Sequence, residues 1–259
     1  MKKGYRFGLV GRGIGYSLSP QLHQAIGTSL GIKVHYELID IPTLADVSTL
    51  WDRFQGLNVT TPYKEAMLDY CDEADPATLK IGACNTVVIR DGWKTAYNTD
   101  WIGFIRLLEE TGLDFTLPLQ ALIIGSGGGA RAVYYALKTK TKFHVTVDNR
   151  TVERAKRLTH QVMTLHEAEE KLSNFDLVVN ATTVGVKTYA SPIAIHSVKP
   201  NSVYIDLNYQ KNLKFLDDSQ ALGARTLNGW RMLVEQAFES FRLWTDLDLN
   251  INPMGLIIE

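Results

Sequence analysis

Three short polar segments in the first hundred residues carry side chains able to do chemistry on a small hydroxylated acid. They are Ser17-Leu18-Ser19-Pro20, Asn58-Val59-Thr60-Thr61-Pro62-Tyr63-Lys64, and Asn85-Thr86 together with Asn98-Thr99-Asp100. Ser17, Ser19, Asn58, Thr60 and Asn85 supply hydroxyls and amides that both donate and accept, which suits a polyhydroxylated ligand with no metal. Lys64 and Asp100 add a proton carrier and a carboxylate. Oxidising a secondary alcohol requires its hydroxyl proton to leave as hydride departs. A lysine held near a carboxylate and partly desolvated can hold or shuttle that proton. The two lie 36 residues apart, so only the fold can join them. Each segment also has a purely structural explanation. Ser19 before Pro20 reads as a helix N-cap, Asn98-Thr99-Asp100 as a turn with a cap, and Lys64 as a surface lysine on a proline-initiated helix.

A second set is a glycine loop. Gly125, Gly127 and Ala130 match G-x-G-x-x-G/A within the run Gly125-Ser126-Gly127-Gly128-Gly129-Ala130. An apolar strand precedes it and a helix comes after, the setting in which glycines let a backbone approach a pyrophosphate at a helix N-terminus. The residues at the end of the next strand give opposing signals on cofactor choice. Asp148, 23 residues after Gly125, would accept from a free ribose hydroxyl and favour NAD. Asn149-Arg150-Thr151, with Arg154 beyond, offers two guanidinium groups and a hydroxyl to a ribose phosphate and favours NADP. Strand alternation puts Asp148 and Asn149 on opposite faces, so only one need face the cofactor. The arginines tip the reading to NADP. A solvated helix face of Arg150, Arg154 and Arg157 is the structural alternative.

The elements that must position these groups alternate between strand-like and helix-like throughout, which predicts an α/β architecture. Strands are expected at 5–10, 34–39 and 57–59. A hairpin is expected at 86–97 around Asp91-Gly92, and further strands at 119–124, 143–147, 177–179 and 203–205. Thr43 with Asp46 predicts a weakly capped helix to about Phe54. Helices are also expected at 99–111, ended by Gly112, from the glycine loop through Leu137, and from near Gly229 through Trp244. The last carries Met232, Leu233, Ala237, Phe238 and Phe241 at helical spacing. This pattern implies two domains: residues 1–100 with 230–259 form a mainly parallel α/β substrate domain, and 101–229 form a Rossmann-type doubly wound dinucleotide-binding domain. A cleft between them is the expected ligand site.

Composition narrows the function classes. The chain has 259 residues, 45% hydrophobic and 21% charged, which is ordinary globular usage and excludes disorder and coiled-coil arrays. With 27 Lys plus Arg against 28 Asp plus Glu, the net charge of -1 offers no electrostatic footprint for nucleic acid or an anionic membrane. No apolar run approaches the ~20 residues of a membrane helix. Cys71 and Cys84 make neither a disulfide framework nor a zinc site. A cytoplasmic location is expected, with a small molecule as the partner and a homodimer left open.

At this point the residues resemble the shikimate dehydrogenase family, over nearly the whole chain. Ser17-Leu18-Ser19-Pro20-x-x-His23 resembles the family's substrate-binding serine motif. Gly56-x-Asn58-Val59-Thr60-x-Pro62-x-Lys64 resembles its catalytic-lysine motif. Gly82-Ala83-x-Asn85-Thr86, Asn98-Thr99-Asp100-x-x-Gly103, the glycine loop through Ala132 and Asn149-Arg150-Thr151-x-x-Arg154-Ala155 come next, in the family's order. Asn180-Ala181-Thr182-x-x-Gly185 and Met232-Leu233-Val234-x-Gln236-Ala237 complete the set. The resemblance implies that Lys64 is the catalytic base or acid and Asp100 its partner. Ser17, Ser19 and Tyr209 would hold the substrate carboxylate, and Thr60, Asn85 and Gln236 its hydroxyls, with Asn58 in the same set. Thr182, Thr183, Val184 and Gly185, with Leu207 and Gly229, would line the cofactor's path. The implied reaction is the reversible NADPH-dependent reduction of 3-dehydroshikimate to shikimate, a step toward chorismate and the aromatic amino acids. Four departures stand out: Gly13 and Tyr16 replace a proline and a histidine ahead of the serines, Arg231 replaces a glycine, and no threonine comes after Tyr209. Tyr16 and Arg231, with Asp148, motivate an alternative, a quinate/shikimate or shikimate-like dehydrogenase with altered substrate or NAD use. A second alternative is a nucleotide-binding regulatory module without catalysis, against which the retained Lys64 and Asp100 argue.

Overall fold

The computed structural model describes residues 4–256. The chain divides into two compact units, Met1–Ile102 with Val234–Glu259, and Gly103–Leu233. The first opens with β1 (Tyr5–Gly11), α1 (Ser19–Ser29), β2 (Val34–Asp40) and β3 (Gly56–Val59). Then come β4 (Glu73–Ala74), α2 (Pro76–Ile81), β5 (Thr86–Arg90) and β6 (Trp93–Tyr97). The sheet order is β2-β1-β3-β5-β6-β4. Pairings β1–β2, β1–β3 and β4–β6 are parallel, while β3–β5 and the hairpin β5–β6 are antiparallel. The hairpin turns at Asp91 and Gly92, both at positive φ, as a tight primed turn requires.

The second unit is entered along α3 (Asp100–Glu109). It runs β7 (Gln120–Ile124), α4 (Gly128–Lys140), β8 (His144–Asp148), α5 (Val152–Lys156), β9 (Val162–Met163) and α6 (Leu165–Glu170). Next are β10 (Leu177–Asn180), β11 (Val203–Asp206), α7 (Lys214–Ala221) and β12 (Arg225–Asn228). The chain leaves along α8 (Trp230–Thr245). The sheet order β12-β11-β10-β7-β8-β9 is parallel throughout, with the switch between β7 and β10 that doubly wound sheets place beside their ligands. Leu122, Ile124, Val178, Tyr204 and Phe215 fill one core with Ala168 and Leu172. Each large apolar side chain so buried contributes about 1.5–3 kcal/mol.

Two local expectations fail for identifiable reasons. The segment after Thr43 is a 3-10 helix, Leu44–Leu50, not an α-helix to Phe54. Its buried anchors Leu44, Val47 and Leu50 recur every third residue, the 3-10 period, and the intervening Asp, Ser and Thr are poor helix formers. Ser19 is not an N-cap. The cap position is Leu18, without a side-chain capping bond, and Ser19 already belongs to α1. The short elements β4, α2, β9, α5, α6, α7 and β12 have too few turns or alternations to show a period in the sequence.

Candidate functional site

In the first unit, β3 ends just before Lys64 and β6 just before Asp100, so both side chains sit beyond strand ends. Lys64 Nζ lies 2.5 Å from Asp100 Oδ2, with side chains only 17% and 7% exposed. A charge pair this close and this poorly hydrated is held by its surroundings. The other Asp100 oxygen, Oδ1, accepts from Asn85 Nδ2 at 2.9 Å, and Asn98 Oδ1 accepts the Asp100 N–H at 3.1 Å. Asn98 is therefore the turn-and-cap residue, whereas the Asp100 carboxylate faces Lys64. Asn85 Nδ2 also donates to Thr99 Oγ1 (2.9 Å) and Gln236 Oε1 (3.2 Å).

Asn58 belongs to the same buried network. Its Nδ2 donates to the Asn85 carbonyl, Thr86 Oγ1 and Ser240 Oγ, and its Oδ1 accepts from the Tyr36 hydroxyl at 2.8 Å. Ser17 Oγ donates to Ser19 Oγ at 3.1 Å. The amide and lysine clusters thus join into one system inside the first unit, and the two serines pair with each other. Thr60 stands half-buried after β3. Tyr209 lies in the other unit, after β11. His23 stacks on Tyr36 with ring centroids 4.5 Å apart, and burial pushes its imidazole down to about 3. It is a neutral packing plate, not an acid or base.

The second unit builds a different kind of site at the C-terminal ends of β7, β8, β10 and β11. Gly125 has φ +110°, a conformation L side chains rarely adopt, and its N–H donates to the Asp148 carbonyl at 2.7 Å. Gly127 is the N-cap of α4, and a Cβ added there would meet nothing within 4 Å. The protein's own packing does not require that glycine. What it leaves is an open approach to the first N–H groups of a thirteen-residue helix, the setting that binds pyrophosphate. Ser126 is buried, Gly128 and Gly129 are half-buried, and Ala130 is packed into the core.

Beyond β8, Arg150, Thr151 and Arg154 are exposed and Asn149 is half-buried, its Nδ2 donating to the Thr151 carbonyl at 2.8 Å. Asp148 points elsewhere. It pairs with Ile124 and shares that residue's face of the sheet, is 1% exposed, and its Oδ1 has no hydrogen-bond partner. Burial, reinforced by the charge of Glu169, pushes its carboxyl up to about 6. The loop after β10 is strapped by side chains. Thr182 donates through N–H and Oγ1 to Asn180 Oδ1 (3.0 and 2.7 Å), and Asn180 Nδ2 donates to Asp206 Oδ2 at 2.9 Å. Asn208 donates through its N–H to Asp206 Oδ1 and through Nδ2 to the Val184 carbonyl. Thr183 and Val184 are exposed and Gly185 is buried. Gly229 abuts the backbone of Leu207 so closely that a Cβ would lie 2.0 Å from the Leu207 oxygen. Among the described residues no group of three or more His, Cys, Asp or Glu side chains is placed to hold a metal, and no helix is long and apolar enough to cross a membrane.

Residues 9–87 match the model of the shikimate dehydrogenase substrate binding domain, 113–210 that of shikimate / quinate 5-dehydrogenase, and 229–254 that of the shikimate 5'-dehydrogenase C-terminal domain. A curated relative, the shikimate dehydrogenase (NADP(+)) of Geobacillus kaustophilus, is 35% identical, over 98% of this chain and 97% of its own length. The chain belongs to the shikimate dehydrogenase family.

Among solved structures of the family, the Thermus thermophilus enzyme in complex with NADP(H) and shikimate is similar at a TM-score of 0.86. It shares 35% identity, covering 97% of this chain and 96% of that one. Quinate dehydrogenase from Corynebacterium glutamicum in complex with NAD is similar at 0.83, with 32% identity over 95% and 96%. Against the family pattern, three of the four departures have local structural answers. Gly13 has φ +66°, and its N–H donates to the Asp40 carboxylate at 3.0 Å. Tyr16 is exposed at the surface. Arg231 pairs with Glu110 at 3.4 Å, just past the end of α3, where Arg225 also donates to the Glu110 and Thr111 carbonyls. Sequence reasoning missed Tyr36, Ser240, Asp206 and Asn208. The one available signal was that Ser240 lies four residues after Gln236, on the same face of α8.

Proposed function

We propose that this protein is an NADP-dependent shikimate dehydrogenase, reversibly reducing 3-dehydroshikimate to shikimate in the route to chorismate. The observation that carries the reading is the Lys64–Asp100 pair, at 2.5 Å and poorly hydrated, set on buried amides. Reduction of a ketone to an alcohol needs a proton delivered to the carbonyl oxygen. Lys64 Nζ is the donor, and it takes the hydroxyl proton in the reverse direction. Asp100 orients the ammonium and stabilises its charge. Asn85 and Gln236, already mutually hydrogen-bonded, present amides to the substrate hydroxyls together with Thr60 and Asn58. Ser17, Ser19 and Tyr209 receive the carboxylate.

NADPH, when bound, supplies the hydride. In this reading Gly125, Ser126, Gly127, Gly128, Gly129 and Ala130 seat its pyrophosphate. The open space at Gly127 supports that fit. Asn149, Arg150, Thr151 and Arg154 hold the ribose phosphate, and Thr182, Thr183, Val184, Gly185, Leu207 and Gly229 line the rest. The exposed arginines, beside an Asp148 turned into the interior, favour NADP over NAD.

The test monitors reduced-cofactor absorbance with shikimate plus NADP, with NAD and with quinate in parallel, and Lys64→Met as the comparison. Rapid NADPH formation from shikimate that is lost in the variant is expected. Turnover only with quinate, or only with NAD, would overturn the substrate or cofactor assignment.

A further inference from the structure

Ser240 is fully buried on α8, and its one hydroxyl meets four polar groups. These are Asn58 Nδ2 (3.1 Å), Thr86 Oγ1 (2.7 Å), Thr99 Oγ1 (3.1 Å) and the Gln236 carbonyl (2.9 Å). A helical serine often bonds back to the carbonyl four residues earlier, which accounts only for Gln236. The other three partners come from β3, from β5 and from the turn that starts α3.

Two amides in this network have fixed orientations. Asn58 Nδ2 must face the Asn85 carbonyl, because its oxygen there would oppose another oxygen. Asn85 Oδ1 accepts the Thr99 N–H at 2.7 Å, and the Thr86 and Thr99 hydroxyls converge on it at 3.1 and 3.2 Å. That leaves Asn85 Nδ2 aimed at Asp100 Oδ1, on the carboxylate whose other oxygen meets Lys64. Removing the Ser240 oxygen leaves Asn58 Nδ2 with the Asn85 carbonyl and Thr86 Oγ1, and takes from the Thr86 and Thr99 hydroxyls the partner they share on the side away from Asn85. In a buried network such losses propagate, because every donor has few alternatives.

We propose that Ser240 is a positioning residue for the Lys64–Asp100 pair, acting through Thr86, Thr99 and Asn85. This rests on the catalytic reading of that pair. It touches neither substrate nor cofactor, so its signature is a loss of turnover with substrate affinity little changed.

The experiment compares the parent enzyme, Ser240→Ala, Thr86→Val, the double variant and Lys64→Met by shikimate kinetics across pH, with NADP binding as a control on the second unit. Ser240→Ala is expected to lower kcat about tenfold with KM within about threefold, to shift the pH profile of kcat, and to leave NADP affinity unchanged. Thr86→Val, close in shape and lacking only the hydroxyl, should lose a similar factor. The double variant should lose no more than the larger single loss, since both act on one path. A kcat within twofold of the parent with an unchanged pH profile in Ser240→Ala overturns the proposal, as does full additivity with Thr86→Val. Undiminished kcat in Lys64→Met overturns the catalytic reading itself and the proposal with it. An inactive Lys64→Met beside a normal Ser240→Ala overturns only the role of Ser240.

Discussion

Replacing Asp148 by asparagine should change the pH dependence of stability, reversing the effect of the substitution between mildly alkaline and acidic conditions. The carboxyl is 1% exposed and its Oδ1 lacks a partner. Burial first, and Glu169 second, raise it from 3.8 to about 6. The native state therefore binds this proton more tightly than the unfolded chain does. Below about pH 4 both states are protonated and there is no cost. As pH rises through the interval from about 4 to 6 the unfolded chain ionises more readily, so stability falls. Above about pH 6 the native carboxylate carries a cost of about 3 kcal/mol. Asparagine removes that cost but buries an amide with unmet donors, costing about 1–2 kcal/mol. Near pH 8 the variant should be more stable by about 1–2 kcal/mol, a rise in Tm of about 5 °C. Near pH 4 it should be less stable by a similar amount. Thermal unfolding of both proteins without cofactor, from pH 4 to 8.5 at constant ionic strength, measures the difference. Hydrogen exchange at β7 and β8 assigns it to the second unit. Asp206, also raised to about 6 by burial, is common to both proteins and cancels. A Tm difference equal at pH 4.5 and pH 8 would refute the argument.

Lys64→Met should cut kcat by about a hundredfold or more while changing the dissociation constant for shikimate by less than about fivefold, read by single-turnover kinetics and direct binding. Arg150→Ala should weaken NADP at least about tenfold more than NAD, because only NADP carries the ribose phosphate. Equal losses measured by fluorescence titration would make the arginine a general phosphate contact. Gly127→Ala should leave Tm unchanged or slightly higher yet weaken NADP, since its Cβ meets nothing in the protein. Gly229→Ala should instead destabilise the second unit by about 2–3 kcal/mol, because its Cβ would lie 2.0 Å from the Leu207 oxygen. Melting curves of the two alanine variants separate these outcomes.

Long strands, the hairpin and the last helix are legible in the sequence because local signals suffice for them. Leu122, Ile123 and Ile124 form an apolar run buried on both faces, and Asp91-Gly92 suits positive φ at both turn positions. The 3-10 segment at Leu44–Leu50 is easily misread because a weak capping signal outweighs the three-residue spacing of its anchors. Ser19 illustrates the opposite error. Its placement before a proline favours a cap, yet its hydroxyl takes its partner from Ser17 instead. Tyr36 and Ser240 carry no signal of their own, since a tyrosine in a strand and a serine in an amphipathic helix read as packing until their neighbours are known.

The sequence by itself determined the α/β class, the glycine loop, the ordered motifs of the shikimate dehydrogenase family and the residue types available for proton transfer. These depend on composition and spacing along the chain, which folding does not alter. Only the tertiary structure decided that Lys64 meets Asp100, that Asn85 and Gln236 join across 151 residues, and that Asp148 turns inward while the arginines stay in water. Those outcomes depend on which faces of strands and helices pack together. Packing is set by the burial of the whole core and has no counterpart in local spacing.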